Sequence, residues 1–363
     1  MNFSLLQSFF SGKRVFLTGH TGFKGAWMLL LLKQLGTTVK GYSLAPEHPE
    51  DLYNQIGGNA LCESVIADVQ DAQRVQQEIL DFQPDVIFHL AAQALVRRSY
   101  RAPLETFGAN VMGTAHVLDA LRFMKDPVTA IIITTDKVYE NDERGTAFPE
   151  NAPLGGYDPY SASKAAAEIV IDSYRRSFFH PQKHAEHGKT IVSMRAGNVI
   201  GGGDFSEDRL IPDMVRAIQK GNPVVLRNPQ SVRPWQHVLE PLVAYLLLAV
   251  KASGTDGATF ATAYNIGPDR QDERTVLDVA TRFYKAFGLH QQPSIQPDAS
   301  LHEAGLLMLD NAKLKAATGW HPLLTADEAI DWTAAWYASG EGAKEKCENQ
   351  IRLYFGRTET PSP

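Results

Sequence analysis

Short runs of apolar, often β-branched residues alternate along the first two hundred positions with stretches whose apolar residues recur at helical spacing. Arg14–Thr18 reads as a buried strand, and Ala26–Leu35 as a helix ended by Gly36. The same pattern predicts strands at Thr38–Tyr42, Ser64–Ala67, Asp85–Leu90, Ala130–Thr134 and Thr190–Arg195. Between them it predicts helices over about Ala72–Phe82, Thr106–Met124 and Ser161–Phe179. Met1–Phe10 lacks a basic stretch and a cleavage site, and reads as a short docking helix rather than a leader.

Strands that are apolar on both faces and separated by helices imply a parallel sheet covered on both sides. The expected fold class is therefore α/β, a Rossmann-type doubly wound parallel sheet with its ligand beyond the carboxyl ends of the strands. After Asn198 the rhythm changes. Gly201–Gly203 and the proline-containing stretch Asn222–Trp235 break the alternation. Leu239–Ala252 reads as a helix, Ala263–Ile266 as one more strand, and the rest as mostly helical. The expected organisation is a sheet domain of 1–198 plus about 236–266, a smaller, mostly helical substrate-binding domain of about 199–235 plus 267–356, and a frayed tail at 357–363.

Charge and composition narrow the partners. A net charge of -6 argues against non-specific nucleic-acid binding, which needs a basic surface, yet leaves room for a local arginine cluster on a pyrophosphate. The two cysteines, Cys62 and Cys347, are too far apart in sequence for a disulfide framework and fit a reducing compartment. The most apolar run, Ala26–Leu32, is far shorter than the ~20 residues that span a bilayer, so no membrane association is expected and the cytoplasm is the expected location. The eleven histidines form no metal-ligand pattern, and no metal is expected.

The turn after the first strand carries glycines at Gly19, Gly22 and Gly25, a GxxGxxG spacing. Glycines here let the backbone turn tightly and approach a pyrophosphate, while the following helix N-terminus offers free N–H groups. With Thr21, Phe23 and Lys24 this turn is the expected cofactor cradle, and Leu90, Ala91, Ala92 and Thr134, at the ends of later strands, are expected beside it. No Lys or Arg lies between Lys40 and Arg74, so the extra phosphate of NADP would lack a cation there and NAD is favoured. Asp68 and Val69, after the third strand, are placed to meet the adenine.

Tyr160 and Lys164 stand four residues apart at the start of a helix and share one face. An ammonium beside a phenol favours the phenolate, so Tyr160 is expected to have a lowered pKa and to act as a base. Thr135, at the end of the fifth strand, is placed to bind the same substrate oxygen. Tyr157 competes for the role but has no lysine four residues on.

The glycine turn, His89–Ala92, Asn110–Thr114, Thr134–Tyr139, the Tyr160/Lys164 pair and Arg195–Val199 resemble the extended short-chain dehydrogenases/reductases that act on nucleotide sugars, over about Phe9–Trp336. Gly12–Gly25, Thr135–Tyr139 and Arg233–Val238 are most similar to the CDP-glucose 4,6-dehydratase subgroup. Related dTDP-glucose dehydratases carry a glutamate where this chain has Lys137. The resemblance implies oxidation at C4 of a nucleotide-linked hexose such as CDP-glucose, loss of water across C5 and C6, and hydride return to C6, in deoxysugar (O-antigen or lipopolysaccharide) biosynthesis. It gives Asp136 the role of acid to the leaving hydroxyl. Lys137 falls at the family's base position, as base or as a cation stabilising an enolate. It places Gln93, Asn198, Arg227 and Arg233 at the substrate, the arginines suiting phosphate oxygens. It also implies a homodimer or homotetramer, joined through the helices that start near Glu105 and Ser161. A 4-epimerase would share everything except a need for Asp136 and Lys137. A non-catalytic dinucleotide-binding protein would not need both Tyr160 and Lys164.

Overall fold

The computed structural model describes residues 2–141, 145–289, 293–296 and 305–359. Seven strands form one sheet: β1 (Arg14–Thr18), β2 (Thr38–Ser43), β3 (Glu63–Ile66), β4 (Val86–His89), β5 (Val128–Thr135), β6 (Lys189–Ala196) and β7 (Ala263–Ile266). Their order is β7-β6-β5-β4-β1-β2-β3, and every pairing is parallel. The chain steps outward from β1 to β3 and then crosses back to β4, so the switch point lies between β1 and β4, where such sheets bind ligands. Each expected strand is present, with ends displaced by a residue or two.

The helices that position the site are α1 (Phe3–Phe10), α2 (Phe23–Gln34), α3 (Ala72–Phe82), α4 (Val96–Arg101), α5 (Gly113–Ala120), α6 (Pro159–Ser177), α7 (Leu210–Gln219), α8 (Leu239–Ala252), α9 (Val276–Ala286), α10 (Ala326–Ala338) and α11 (Ala343–Glu359). β4, β5, β6 and β7 are buried at every position because helices cover both faces. Leu6, Trp27, Leu31, Tyr245 and Tyr354 bring α1, α2, α8 and α11 into the core on one face. Val75, Ile79, Val117 and Ile171 bring α3, α5 and α6 into the core on the other. Ala26–Leu32 is buried throughout, so α2 is an interior helix.

Three expectations change. α2 begins at Phe23 rather than Ala26, with Gly22 as its N-cap, which puts Gly25 inside the first turn. The helix expected over Thr106–Met124 is broken into Pro103–Phe107, a π-helical turn Gly108–Met112, and α5. The wide turn accommodates Asn110, whose side chain bonds the Gln93 backbone N–H and C=O (2.9 and 3.0 Å) and Ser163 Oγ (2.8 Å). α11 continues through Glu359, and Arg357 donates to Glu328 (2.8 Å), so Arg357 and Thr358 belong to the helix rather than to a tail. The rest of the expected tail, 360–363, lies outside the described residues.

Beyond the sheet, α7, α9 and α10 share a second core of Ile211, Met214, Trp235, Phe283, Tyr284 and Ile330. Short strand pairs lace this region: Val199–Ile200 with Gln236–His237, Val225–Leu226 with Ser294–Ile295, and Val232–Arg233 with Arg274–Thr275. Trp27 Nε1 donates to Gly202 O at 2.9 Å and ties α2 to the segment that starts this region.

Candidate active site

The glycine turn occupies the switch point. Gly19 has φ +72°, and a Cβ there would lie 2.7 Å from the Ala91 nitrogen. A Cβ on Gly25 would lie 2.1 Å from the Gly19 carbonyl oxygen. Both positions exclude a side chain because backbone meets backbone, while Gly22 is less crowded and caps α2. The turn lies against the Leu90–Ala91 backbone and opens onto the N-terminus of α2, so these residues fit a dinucleotide pyrophosphate. The Ala91 N–H is held by Thr18 Oγ1 (3.1 Å) and the Leu90 N–H by the Thr18 carbonyl (3.2 Å). Thr21 uses its hydroxyl to bind Leu44 O (2.8 Å) and braces the turn against the end of β2. Asp68 accepts from the Gln70 N–H (2.9 Å), and Val69 is buried against Gly113.

α6 starts where the chemistry needs it. Asp158 caps it, its Oδ1 accepting from the Ser161 N–H at 3.0 Å, and Pro159 opens the first turn. Tyr160 is thereby buried at 9% exposure, whereas Tyr157, outside the helix, is 77% exposed. Lys164 lies one turn on, with Nζ donating to Ile133 O at 3.0 Å. The expected lowering of the tyrosine pKa is not found. Burial pushes the Tyr160 phenol up to about 12, against the pull of a hydrogen bond with Thr135. Burial likewise lowers Lys164 to about 8, with Glu168 opposing it. Desolvation outweighs the pairing that the spacing suggested.

Glu168, a further turn along α6, anchors the ends of two strands. Its carboxylate accepts from Thr134 Oγ1 (2.6 Å) on β5, and from Ser193 Oγ (2.9 Å) and Arg195 Nη2 (2.8 Å) on β6. Arg195 also donates to Tyr139 Oη (2.9 Å), which donates to Asn265 (2.6 Å). Thr134 therefore serves the scaffold with its hydroxyl. At the tip of β5, Thr135 Oγ1 donates to Asp136 Oδ1 (2.9 Å), and Lys137 Nζ reaches both Asp136 Oδ1 and Asn198 Oδ1 at 3.2 Å. Asp136 is wholly buried, and its Oδ2 has no hydrogen-bond partner.

A cavity of about 860 Å³ opens over these groups. Phe23, Lys24, Thr134, Thr135, Lys137, Tyr160, Asn198, Arg227 and Arg233 all line it, while Lys164 and Asp136 sit behind its wall. Gln93, expected at the substrate, is not among the lining residues. Its amide binds Thr106 Oγ1 (2.8 Å) and both the carbonyl and the N–H of Leu95 (3.1 and 2.6 Å), fixing the loop after β4. Two charged groups in the cavity were not anticipated. Arg209 is held by Asp204 (2.9 Å), which outweighs the cost of its burial and keeps it charged. Lys24, expected only in the cofactor cradle, is brought down to about 7 by burial and then by the charges of Arg209 and Lys164. Arg209 lies in the irregular stretch after Gly203, where no periodicity marks a face.

Comparison with known proteins follows the same lines. The profile of the GDP-mannose 4,6 dehydratase family matches residues 16–333. A CDP-glucose 4,6-dehydratase of Salmonella typhimurium is 43% identical over 97% of this chain and 99% of its own. Among solved structures, a Thermus thermophilus UDP-glucose 4-epimerase in complex with NAD is similar at a TM-score of 0.75 and 26% identity, over 90% of this chain and 100% of that one. A dTDP-glucose 4,6-dehydratase of Streptomyces venezuelae with NAD bound has a TM-score of 0.75 at 23% identity, over 92% and 99%.

Proposed function

The chain belongs to the GDP-mannose 4,6-dehydratase family, and from that membership we propose that it converts CDP-glucose into CDP-4-dehydro-6-deoxyglucose and water, with NAD as a regenerated cofactor. One observation carries the reading: Lys137 and Tyr160 line one cavity, with Asp136 hydrogen-bonded to the first and Lys164 one helical turn from the second. Elimination of water needs Asp136 with Lys137, and oxidation of a secondary alcohol needs Tyr160 with Lys164.

Acceptance of hydride from C4 and its return to C6 is the chemistry that NAD supplies when bound in the cradle. The side chains manage protons. Tyr160 takes the proton of the 4-hydroxyl while Thr135 holds the same oxygen. Burial holds the Tyr160 phenol at about 12, so its deprotonated form depends on neighbouring cations such as the Lys164 ammonium. The 4-ketone then acidifies the C5–H bond. Lys137 donates to Asp136 across 3.2 Å, so moving that proton from Lys137 to Asp136 creates a neutral amine and a carboxylic acid together. The amine takes the C5 proton, the acid protonates the departing 6-hydroxyl, and the starting ion pair is restored. Asn198 Oδ1 holds the lysine in place. Arg233 and Arg227, in the same cavity, suit the sugar diphosphate.

The residues expected in the subunit contact present an apolar face: Leu104, Met112 and Ile169 are exposed at 85, 51 and 62%. A homodimer through this face is part of the proposal, as are a cytoplasmic location and a role in deoxysugar biosynthesis. No helix among the described residues is long and apolar enough to cross a membrane.

The experiment is product analysis with CDP-, dTDP-, UDP- and GDP-linked hexoses. Loss of one water from CDP-glucose, with a new C6 methyl signal, is the expected result. A product of unchanged mass and inverted C4 would identify an epimerase instead.

A further inference from the structure

The cavity carries a cluster of charges in which an arginine suited to the diphosphate already faces a carboxylate. Arg97, on α4, and Arg227, just after Val225–Leu226, both line it, and they converge on one carboxylate that lines it too. Asp208 Oδ1 lies 3.3 Å from Arg227 Nη2 and 3.9 Å from Arg97 Nε. Its Oδ2 lies 3.9 Å from Arg101 Nη2. The backbone at Asp208 has φ +56°, one of two left-handed non-glycine residues among those described. That conformation is strained for most side chains and tolerated best by Asn and Asp. The chain accepts it at the residue that sets a carboxylate between two arginines, one from the sheet side of the cavity and one from the α7–α9 side.

These contacts are loose. A guanidinium that satisfies a carboxylate does so through paired bonds of about 2.7–2.9 Å. Here one carboxylate is divided among three guanidiniums at 3.3 to 3.9 Å. A diphosphate carries more charge and more oxygens, in a geometry that arginines grip two bonds at a time. We propose that Asp208 is an internal counter-anion for Arg227: it holds that guanidinium in the cavity before substrate binds and yields it to the diphosphate of the nucleotide sugar. The inference rests on the proposed substrate class. Asp208 thereby lowers affinity for substrate and product alike, which favours release of a product that keeps the same diphosphate.

The test uses the full-length protein and two variants. Asp208→Asn removes the charge, keeps the side-chain size and tolerates the left-handed backbone. Asp208→Gly removes the charge and the strain together. CDP and inorganic pyrophosphate are titrated by calorimetry at low and high salt. Both variants should bind CDP about fivefold tighter or better at low salt, with a smaller gain at high salt, as expected for competition between charges. The gain should vanish when Asp208→Asn is placed in an Arg227→Gln background. Unchanged or weaker CDP binding by both variants, while the unaltered protein binds CDP, would overturn the role of Asp208 alone. An unaltered protein that binds no CDP would overturn the substrate reading itself, and this inference with it.

Discussion

Replacing Asp136 with Asn separates the two halves of the proposed reaction. In the structure Asp136 Oδ1 receives two hydrogen bonds, from Thr135 Oγ1 at 2.9 Å and Lys137 Nζ at 3.2 Å, and Oδ2 receives none. An asparagine amide oxygen can accept both, leaving its NH₂ where an unpartnered oxygen already sat. The stability change is therefore expected to stay within about 1–2 kcal/mol. The chemical effect should be far larger. General acid catalysis contributes about 10²–10⁴-fold, or roughly 3–5 kcal/mol of barrier, and Asn has no proton to give to the leaving hydroxyl. Lys137 also loses the partner that could take its proton. Oxidation at C4 by Tyr160 requires neither. Rapid mixing of Asp136→Asn, NAD and CDP-glucose should show reduced nicotinamide absorbance rising at nearly the unaltered rate and then persisting, with dehydrated product delayed by the factor above. Unaltered overall turnover would refute the acid assignment. Loss of the absorbance rise itself would show that Asp136 serves the oxidation instead.

Tyr160→Phe should remove that first absorbance rise while leaving CDP affinity within about threefold, since the phenol is assigned to proton transfer rather than to nucleotide grip; equal CDP-glucose turnover by Phe would refute it. Glu240, fully buried on α8, is held up at about 7 by burial although it accepts from Leu323 N–H, Leu324 N–H and Tyr354 Oη. Its folded pKa lies above the unfolded value near 4.5, so its contribution to stability is complete below about pH 4.5 and is lost as pH rises through about 7. Glu240→Gln should therefore melt close to the unaltered protein at pH 5 and be more stable at pH 8 by about 1–3 kcal/mol, and a difference of the same size at both pH values would contradict the sign. Gly25→Ala places a Cβ 2.1 Å from a backbone oxygen and should cost about 3 kcal/mol or more, with loss of the melting-temperature rise that NAD gives the unaltered chain; a retained rise would show that the turn can relax.

Much of this was legible in the sequence because it depends on local pattern. Buried parallel strands are apolar on both faces, so β4 to β7 stand out as runs. The glycine turn could be read because Gly19 and Gly25 answer to a backbone constraint. Tyr160 could be singled out because Lys164 follows it by one helical turn, and Asp158 and Pro159 fix the start of that helix. The errors arise where a distant neighbour decides. The tyrosine pKa follows burial, which spacing does not report. The Gln93 amide is engaged by Thr106 and Leu95, contacts that no sequence spacing reports. The Thr106–Met124 helix widens at Asn110 because that side chain is needed by the loop after β4. Arg209 and Asp208 lie in a stretch without helix or strand rhythm, and Arg97 and Arg227 are brought to Asp208 only by folding.

Tyr160, Lys164 and Glu168 follow one another at single-turn intervals along α6, and Glu168 grips the ends of β5 and β6. The groups proposed to react are thus fastened to a single frame, whereas Asp208, Arg227 and Arg233 lie on the segment that carries α7 and two short strands. A division of labour in design follows. Transplanting 204–235 from a relative with another nucleotide preference should retune which substrate is chosen and leave the order of bond-making untouched, because the interchangeable wall and the working frame belong to different stretches of chain.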